Sequence, residues 1–353
     1  MATVPYVVLS GFMATGKSTV GPLLAERLGV PFVDTDDLVA AEAGESVPSL
    51  WRRVGEAAFR DLEARVLGGL LVSKTARVIA VGGGTLTQRG LRHAALERAF
   101  VVTLDASPET IVRRAGDLTG RPNLASADPV ARARHLLDQR AAAYAECHLR
   151  VATDGATPEA LVNTILRGLA RPPLAVPLGE RTYRVDFVRD DIDVLTAALR
   201  PLEPSGVLVV TDTNVEAALG ARWRRAVAPL GVPVVPVVLP AGEAEKTLTS
   251  VERVWDAALA AGLDRRAVVL GFGGGVVGDL AGFAASTLLR GLRFVLAPTT
   301  VLSMVDASVG GKTGFDRPQG KNLVGTFHQP SAVVVDFAHL ETLPVRERRA
   351  GLA

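Results

Sequence analysis

A chain of 353 residues is long for one hydrophobic core, and its 48% hydrophobic content is enough to fill two. Lysine plus arginine (39) nearly cancels aspartate plus glutamate (37), so the net charge of +2 excludes a basic nucleic-acid-binding surface. The single cysteine, Cys147, excludes an internal disulfide, and no uncharged apolar run of about 18 residues marks a membrane span. The expectation is a cytoplasmic protein that acts on small molecules, with no nucleic-acid or membrane partner. The first apolar run has no basic flank and leads straight into a glycine-rich loop, so it does not read as a signal peptide.

Residues 1–170 alternate short apolar runs with segments of helical spacing. Strands are predicted at Val4–Leu9, Pro31–Asp34, Val78–Val81, Val101–Leu104 and Leu149–Ala152. This is the pattern of an α/β domain whose parallel sheet is covered on both faces and binds ligands at the carboxyl ends of its strands. After the first strand and before a helical pattern at Val20–Leu28, the stretch from Gly11 to Thr19 fits G-x-x-x-x-G-K-[ST]. Backbone N–H groups of such a loop cradle nucleotide phosphates at a helix N-terminus. Gly11, Ala14, Thr15, Gly16, Lys17, Ser18 and Thr19 are therefore the expected ATP contacts. Lys17 reaches the β- and γ-phosphates, and the Ser18 hydroxyl binds Mg²⁺.

Asp34-Thr35-Asp36-Asp37 follows the second strand. Carboxylates opposite a phosphate loop hold Mg²⁺ or contact a substrate hydroxyl, and the same residues suit a helix N-cap with an acidic first turn. Asp37 is assigned only the capping or surface role. Gly82-Gly83-Gly84 after the third strand allows close backbone approach to a ligand. Arg60 and Arg140 are weak signals alone in a chain rich in arginine. The stretch Arg113–Pro122 combines helix-end, glycine and proline signals with arginine, as a lid that closes on a transferring phosphoryl group would.

Taken together, the phosphate loop, Asp34-Thr35-Asp36, Phe59-Arg60, Gly82–Gly84, Gly120-Arg121-Pro122 and Arg140 resemble shikimate kinase in order and spacing, over nearly all of residues 1–170. The resemblance implies a P-loop NTPase-type domain, nucleoside-monophosphate-kinase-like, that transfers phosphate from ATP to shikimate. It implies that Asp36, Arg60, Arg140 and the Gly83 and Gly84 backbone hold shikimate. Asp34 supports Mg²⁺, Arg121 is the lid arginine, and Arg114 lies against the adenine. Lys17, Asp36 and Arg121 are the expected catalytic groups. The chemistry is coherent: a carboxylated polyol needs guanidinium forks for its carboxylate and an Asp for its hydroxyls.

Residues 171–179 (Arg-Pro-Pro-Leu-Ala-Val-Pro-Leu-Gly) break the helical pattern and read as a linker. A second α/β pattern follows, with strands predicted at Tyr183–Val188, Val207–Thr211, Val234–Leu239, Val268–Gly271 and Phe294–Ala297. The fourth runs into Gly273–Asp279, a dinucleotide-type turn that is not a standard G-x-G-x-x-G; a glycine packing seam is the alternative. Five of the 39 basic residues are lysine, and Lys246, Lys312 and Lys321 fall in charged or glycine-rich turns of this half. A lysine against that arginine background suggests a compact point charge with a task. Lys74 reads as plain surface.

From about residue 180 to the end the chain resembles 3-dehydroquinate synthase, through Gly242–Lys246, Gly273–Asp279, Pro298–Thr300, Asp306–Lys312 and Lys321–Gly325. The resemblance implies a Rossmann-like, NAD-binding region. NAD contacts are expected from Asp212, Asn214, Glu243, Lys246, Gly275, Val276, Val277, Gly278, Asp279, Thr299, Thr300, Lys312 and Lys321. Asp306, Lys312, Lys321 and Asn322 are expected to contact the seven-carbon keto-acid phosphate, with Arg290 reaching its phosphate across a homodimer interface. The family's zinc ligands, one Glu and two His, lie beyond the dinucleotide region, and no zinc site is expected in this chain. His328 and His339 read as loop or surface residues. The chain is therefore expected to be a fragment of a longer bifunctional fusion. Zn²⁺ or Co²⁺, and ring closure, are expected only with the remaining part. Rival readings are another small-molecule P-loop kinase, for gluconate or nucleotides, and a nucleotide-binding scaffold without catalysis.

Overall fold

The computed structural model describes residues 6–116, 124 and 126–352. The chain divides after Thr182 into two compact units. In the first, the elements run β1 (Tyr6–Ser10), α1 (Lys17–Leu28), β2 (Phe32–Asp34), α2 (Thr35–Ala43), α3 (Val47–Val72), β3 (Arg77–Ala80), α4 (Arg89–Arg98), β4 (Phe100–Asp105), α5 (Pro108–Ala115), α6 (Pro129–Ala145), β5 (Leu149–Ala152) and α7 (Pro158–Ala170). The strands pair in parallel in the order β2-β3-β1-β4-β5.

Alternation along β1 builds both faces of this sheet, because successive side chains point to opposite sides. Val7 and Leu9 pack with Val78, Val102, Leu24 and Ile165 beneath α1 and α7. Tyr6 and Val8 pack with Ile79, Val101, Leu67 and Ala95 beneath α3 and α4. From β1 the chain crosses first to one side of the sheet and then, after β3, to the other. The carboxyl end of β1 is thus the switch point where a ligand crevice opens. Helix ends are fixed locally: the side chains of Ser46, Ser107, Asp128 and Thr157 accept N–H groups of the first turn, and Gly29 and Gly44 close α1 and α2 in left-handed conformation. Helix α3 is broken at Gly55 (φ 78°, ψ 172°), which turns its first segment across the crevice.

After β6 (Leu174–Val176), the second unit runs β7 (Tyr183–Val188), α8 (Asp193–Leu199), β8 (Val207–Asp212), α9 (Thr213–Val227), β9 (Val234–Leu239), α10 (Leu248–Ala260), β10 (Val268–Gly273), α11 (Gly275–Thr287), β11 (Arg293–Pro298), β12 (Lys312–Arg317), β13 (Gly320–Phe327), β14 (Ala332–Asp336) and α12 (Val345–Ala350). Its strands lie parallel in the order β7-β14-β11-β10-β8-β9. The direction of crossing reverses between β8 and β10, so the crevice here falls at Asp212 and Gly274. One face carries Val209, Leu270, Phe272 and Val295 against Leu199 and Trp223. The antiparallel hairpin β12–β13, which the sequence reading left as motif segments, packs on α11, with the Phe315 ring edge-on to Phe283 at 5.2 Å.

Leu24 is fully buried between α1 and the sheet. Leu24→Ala is expected to lower unfolding free energy by about 2–5 kcal/mol, read as a drop in urea midpoint at unchanged slope.

Candidate active sites

The first crevice is built by the loop after β1. Gly11 sits at φ +126°, where an added Cβ would strike the Leu104 carbonyl, and Gly16 N-caps α1 at φ +104°. Lys17 lies along the loop, its Nζ donating to the carbonyls of Gly11 (2.9 Å) and Phe12 (2.8 Å). A cleft of about 520 Å³ opens beside it, lined by Ala14 to Val20 and by Arg114. Arg114 is anchored on Thr153, donating to its hydroxyl at 2.9 Å and its carbonyl at 2.7 Å. Ser18 donates to Asp34 Oδ2 at 3.4 Å. These hard oxygens fit Mg²⁺, which keeps waters and nucleotide oxygens and so needs few protein ligands. Asp34 is also the N-cap of α2, accepting from Asp36 N–H at 3.0 Å, so the capping and ligand readings coexist.

A second cavity of about 410 Å³ adjoins the loop and is lined by Lys17, Asp34, Asp36, Arg60, Glu63 and the Gly82–Gly84 turn. Burial, with repulsion from Asp34 and Glu63, pushes the Asp36 carboxyl up to about 6 against the pull of Lys17. Burial also raises Asp34. It lowers the Lys17 amine to about 8, although Asp36 and Asp34 favour its charge. Arg60 is held by Glu63 at 2.5 Å, with its guanidinium carbon 5.1 Å from the Trp51 ring centroid. An added Cβ at Gly84 would strike that guanidinium. Arg140 lies over the Phe12 ring at 5.3 Å and donates to the Gly83 carbonyl at 3.1 Å, which also accepts from the Tyr144 hydroxyl at 2.5 Å.

Sequence reasoning missed Glu63, Trp51 and Tyr144. Two had a signal: Glu63 stands three residues after Arg60 and Tyr144 four after Arg140, spacings that share a helix face. The proposed lid arginine, Arg121, lies outside the described residues.

In the second unit Asp212, Gly273 and Thr299 stand at the carboxyl ends of neighbouring strands. Asp212 caps α9, accepting from Asn214 and Val215 N–H at 2.9 and 3.0 Å. Gly275–Asp279 forms the first turn of α11, and an added Cβ at Gly274 would sit 3.1 Å from the Thr300 methyl. The Thr299 hydroxyl is buried without a partner. An open helix N-terminus, a close-approach glycine and an orphaned hydroxyl fit a dinucleotide. Lys246 is buried and pairs with Asp279 at 2.5 Å and Asn322 at 2.5 Å; Lys321 pairs with Glu243 at 2.9 Å.

A cavity of about 480 Å³ is lined by Asp279, Asp306, Lys312 and Asn322, with Asp306 on a π-helical turn, Ser303–Ala307. Arg290 (φ +67°) precedes β11, at the other end of that strand from Thr299, and does not line this cavity. His339, read from sequence as loop or surface, is buried. Its ring meets Phe272 edge-on at 5.1 Å, because the turn after β14 folds back under the sheet. His328, half-buried, shares a 2.9 Å hydrogen bond with the Leu292 carbonyl. Among the described residues no group of three or more His, Cys, Asp or Glu could hold a metal. No helix among them is long and apolar enough to cross a membrane.

Residues 13–170 match the shikimate kinase family and residues 236–350 the 3-dehydroquinate synthase N-terminal family. A 3-dehydroquinate synthase of Thermosynechococcus vestitus is 48% identical over 184 residues, 51% of this chain and 50% of that protein. The chain spans about half the length of the curated relatives it matches. Among solved structures, shikimate kinase from Acinetobacter baumannii in complex with shikimate is 35% identical, with a TM-score of 0.46, over 48% of this chain and 94% of that one. A 2-deoxy-scyllo-inosose synthase complexed with carbaglucose-6-phosphate, NAD⁺ and Co²⁺ is 27% identical, with a TM-score of 0.48, over 51% of this chain and 50% of that one.

Lys246→Met leaves the Asp279 carboxylate, already raised by burial, without its cation. The variant is expected to lose about 3 kcal/mol at neutral pH. A carboxyl whose folded-state pKa stands above its unfolded value binds a proton preferentially when folded, so the deficit shrinks as pH falls. Urea unfolding at about pH 7.5 and about pH 5.5 checks both the loss and its sign.

Proposed function

We propose a function that starts from family: residues 13–170 of this chain belong to the shikimate kinase family and residues 236–350 to the 3-dehydroquinate synthase N-terminal family. The first unit phosphorylates shikimate from ATP. The observation that carries this reading is the meeting of Lys17, Asp36 and Arg60 around one cavity beside the phosphate loop. Arg60 and Arg140, with the Gly83 and Gly84 backbone, hold the shikimate carboxylate and ring. Asp36 accepts the proton of the attacking hydroxyl as its oxygen bonds to the γ-phosphorus and the bridging β,γ-oxygen leaves with ADP. Its raised pKa suits a general base near neutrality. Lys17 balances charge on the transferring group, and Arg121 is the proposed lid arginine. Mg²⁺, when bound through Ser18 and Asp34, supplies further neutralisation of the phosphates.

The second unit binds NAD through Asp212, Glu243, Lys246, the start of α11, Thr299 and Thr300. NAD⁺ supplies transient oxidation of a substrate alcohol. Asp306, Lys312 and Asn322 face the keto-acid phosphate, for which hydrated lysine charges suit an anion. No step is derived through a metal. Arg290, outside that cavity, serves a site only across two copies, and sedimentation tests the homodimer.

Initial rates with ATP plus shikimate, beside gluconate and nucleoside monophosphates, test the kinase reading; preferential turnover of either rival acceptor would sink it. Lys17→Met is expected to cost ~10²–10³ in rate. Arg140→Lys keeps charge but loses the fork, so calorimetry should show shikimate affinity weakened more than ATP affinity. In the free enzyme Asp36 must lose a proton and Lys17 must keep one. A plot of kcat/KM against pH is therefore expected to rise through about 6 and fall beyond about 8. A flat profile between those values and the extremes would remove Asp36 as the base.

A further inference from the structure

Helix α6 ends in a carboxylate that neither proposed site uses. Glu146, its C-cap, is buried and has partners on two sides. One oxygen accepts from Nε of buried Arg92 at 2.5 Å, and the other accepts the backbone N–H of Gly179 at 2.8 Å. Burial alone pushes this carboxyl up; Arg92 and the Gly179 N–H outweigh it and hold the group below the ordinary range.

Arg92 carries the connection inward. Its Nη1 donates to the carbonyls of Leu86 at 2.7 Å and Thr87 at 3.1 Å. These belong to the short 3-10 turn Thr85–Thr87, which continues from Gly82–Gly84. Thr85 N–H binds the Gly82 carbonyl at 3.1 Å, and the Thr87 hydroxyl binds the Gly84 carbonyl at 2.6 Å. The same helix grips the glycine turn from its other side, through Arg140 and Tyr144 on the Gly83 carbonyl. The turn that faces the proposed acceptor cavity is thus clamped at one end by Arg140 and Tyr144 of α6 and at the other by Arg92 of α4, which the α6 cap Glu146 holds in place.

Gly179, in the turn between β6 and β7, brings that segment of the chain into this clamp. It adopts φ +64°, and an added Cβ would rest 3.4 Å from the Ala142 Cβ on α6, two residues past Arg140. Thr182 closes the turn, its hydroxyl donating to the Gly179 carbonyl at 2.6 Å and accepting from Leu178 N–H at 3.1 Å. The ATP loop rests on β1 and α1; Arg140 touches it through the Phe12 ring at 5.3 Å, but none of the hydrogen bonds just described reaches it.

We propose that Arg92, Glu146 and the Gly179 N–H are positioning groups for the acceptor substrate, so that docking of the β6–β7 turn on α6 sets the kinase unit's affinity for shikimate and not for ATP. This rests on the kinase reading above. It is tested in the full chain with a pair of variants. Gly179→Pro removes the N–H and fixes φ near −65°, opposite in sign to the observed value. Gly179→Asn keeps the N–H and tolerates a left-handed backbone. Gly179→Pro is expected to raise KM for shikimate about fivefold to tenfold, the scale of one ordinary net hydrogen bond, with KM for ATP unchanged. Amide exchange in residues 82–88 should quicken in the same variant. Gly179→Asn is expected to behave as the natural chain in both.

If Gly179→Pro does not fold, Glu146→Gln, which keeps the acceptor for Gly179 and loses the ion pair, should give the same split. Unchanged KM and exchange in Gly179→Pro would overturn the proposal. So would an equal rise in both KM values, or the same loss in Gly179→Asn, since either would mean that the β6–β7 turn only supports the fold. A natural chain with no shikimate turnover would overturn the kinase reading instead, and exchange at 82–88 would still decide the coupling.

Discussion

Everything in the first crevice depends on one electrostatic constraint: three carboxylates, Asp34, Asp36 and Glu63, share a desolvated space with two cations, Lys17 and Arg60. Charges cannot be taken from water without partners, so the pairing is forced. Glu63 is spent on Arg60 and on the Thr85 hydroxyl, at 2.5 Å each, and Asp34 is occupied by the Ser18 hydroxyl and the Asp36 N–H, leaving Asp36 without a fixed cation or donor among the bonds described. That residue is accordingly the one whose proton affinity rises furthest toward neutrality. The same burial that makes Lys17 a strong phosphate counter-charge also brings its amine within reach of deprotonation. A nucleotide's phosphates would restore its charge, so the resting site is poised for an anion.

The second unit solves a similar problem by closing its charges on one another. Lys246 is buried against Asp279 and Asn322, while the more exposed Lys321 takes Glu243. The hairpin β12–β13 makes this possible, because Asn322 takes a left-handed backbone (φ 56°) at its tip and donates its N–H to Asp316 at 2.8 Å. Asp316 in turn donates its own N–H to the Lys246 carbonyl at 2.7 Å. A ligand entering here must compete with internal ion pairs, whereas the unpaired Thr299 hydroxyl and the open turn at Gly274 offer hydrogen bonds at no such cost.

How much of this was legible in the sequence depends on range. The phosphate loop reads directly, because its glycines meet local backbone demands: a left-handed φ at Gly16 and no room for a Cβ at Gly11. Strands read well where both faces are buried, as at Val207–Asp212 and Val268–Gly273. The hairpin did not read, since its exposed, glycine-rich β13 lacks an apolar run and its pairing is set by packing on α11. His339 was misplaced for a related reason. A histidine beside surface-like residues carries no mark of being folded under Phe272, and only the path of β14 puts it there. Arg60 and Arg140 were visible only through family resemblance, because in a chain with so many arginines neither composition nor spacing sets them apart.

The glycine turn at residues 82–84 shows why supporting residues escape a sequence reading. Four grips on the turn or its continuation are side chains reaching a main-chain carbonyl: Arg140 and Tyr144 to Gly83, Arg92 to Leu86 and Thr87. A carbonyl is offered by every residue, so the held position leaves no signature in its own letter. The holders leave little more, since any donor of suitable reach on α4 or α6 would serve. What the sequence must specify is instead the register of those helices. Burial of Ala95 on α4 and of Ala133 and Leu136 on α6 fixes it far from the turn itself. The geometry of the proposed acceptor cavity is therefore a consequence of helix packing, delivered through backbone atoms that any substitution in the turn would retain.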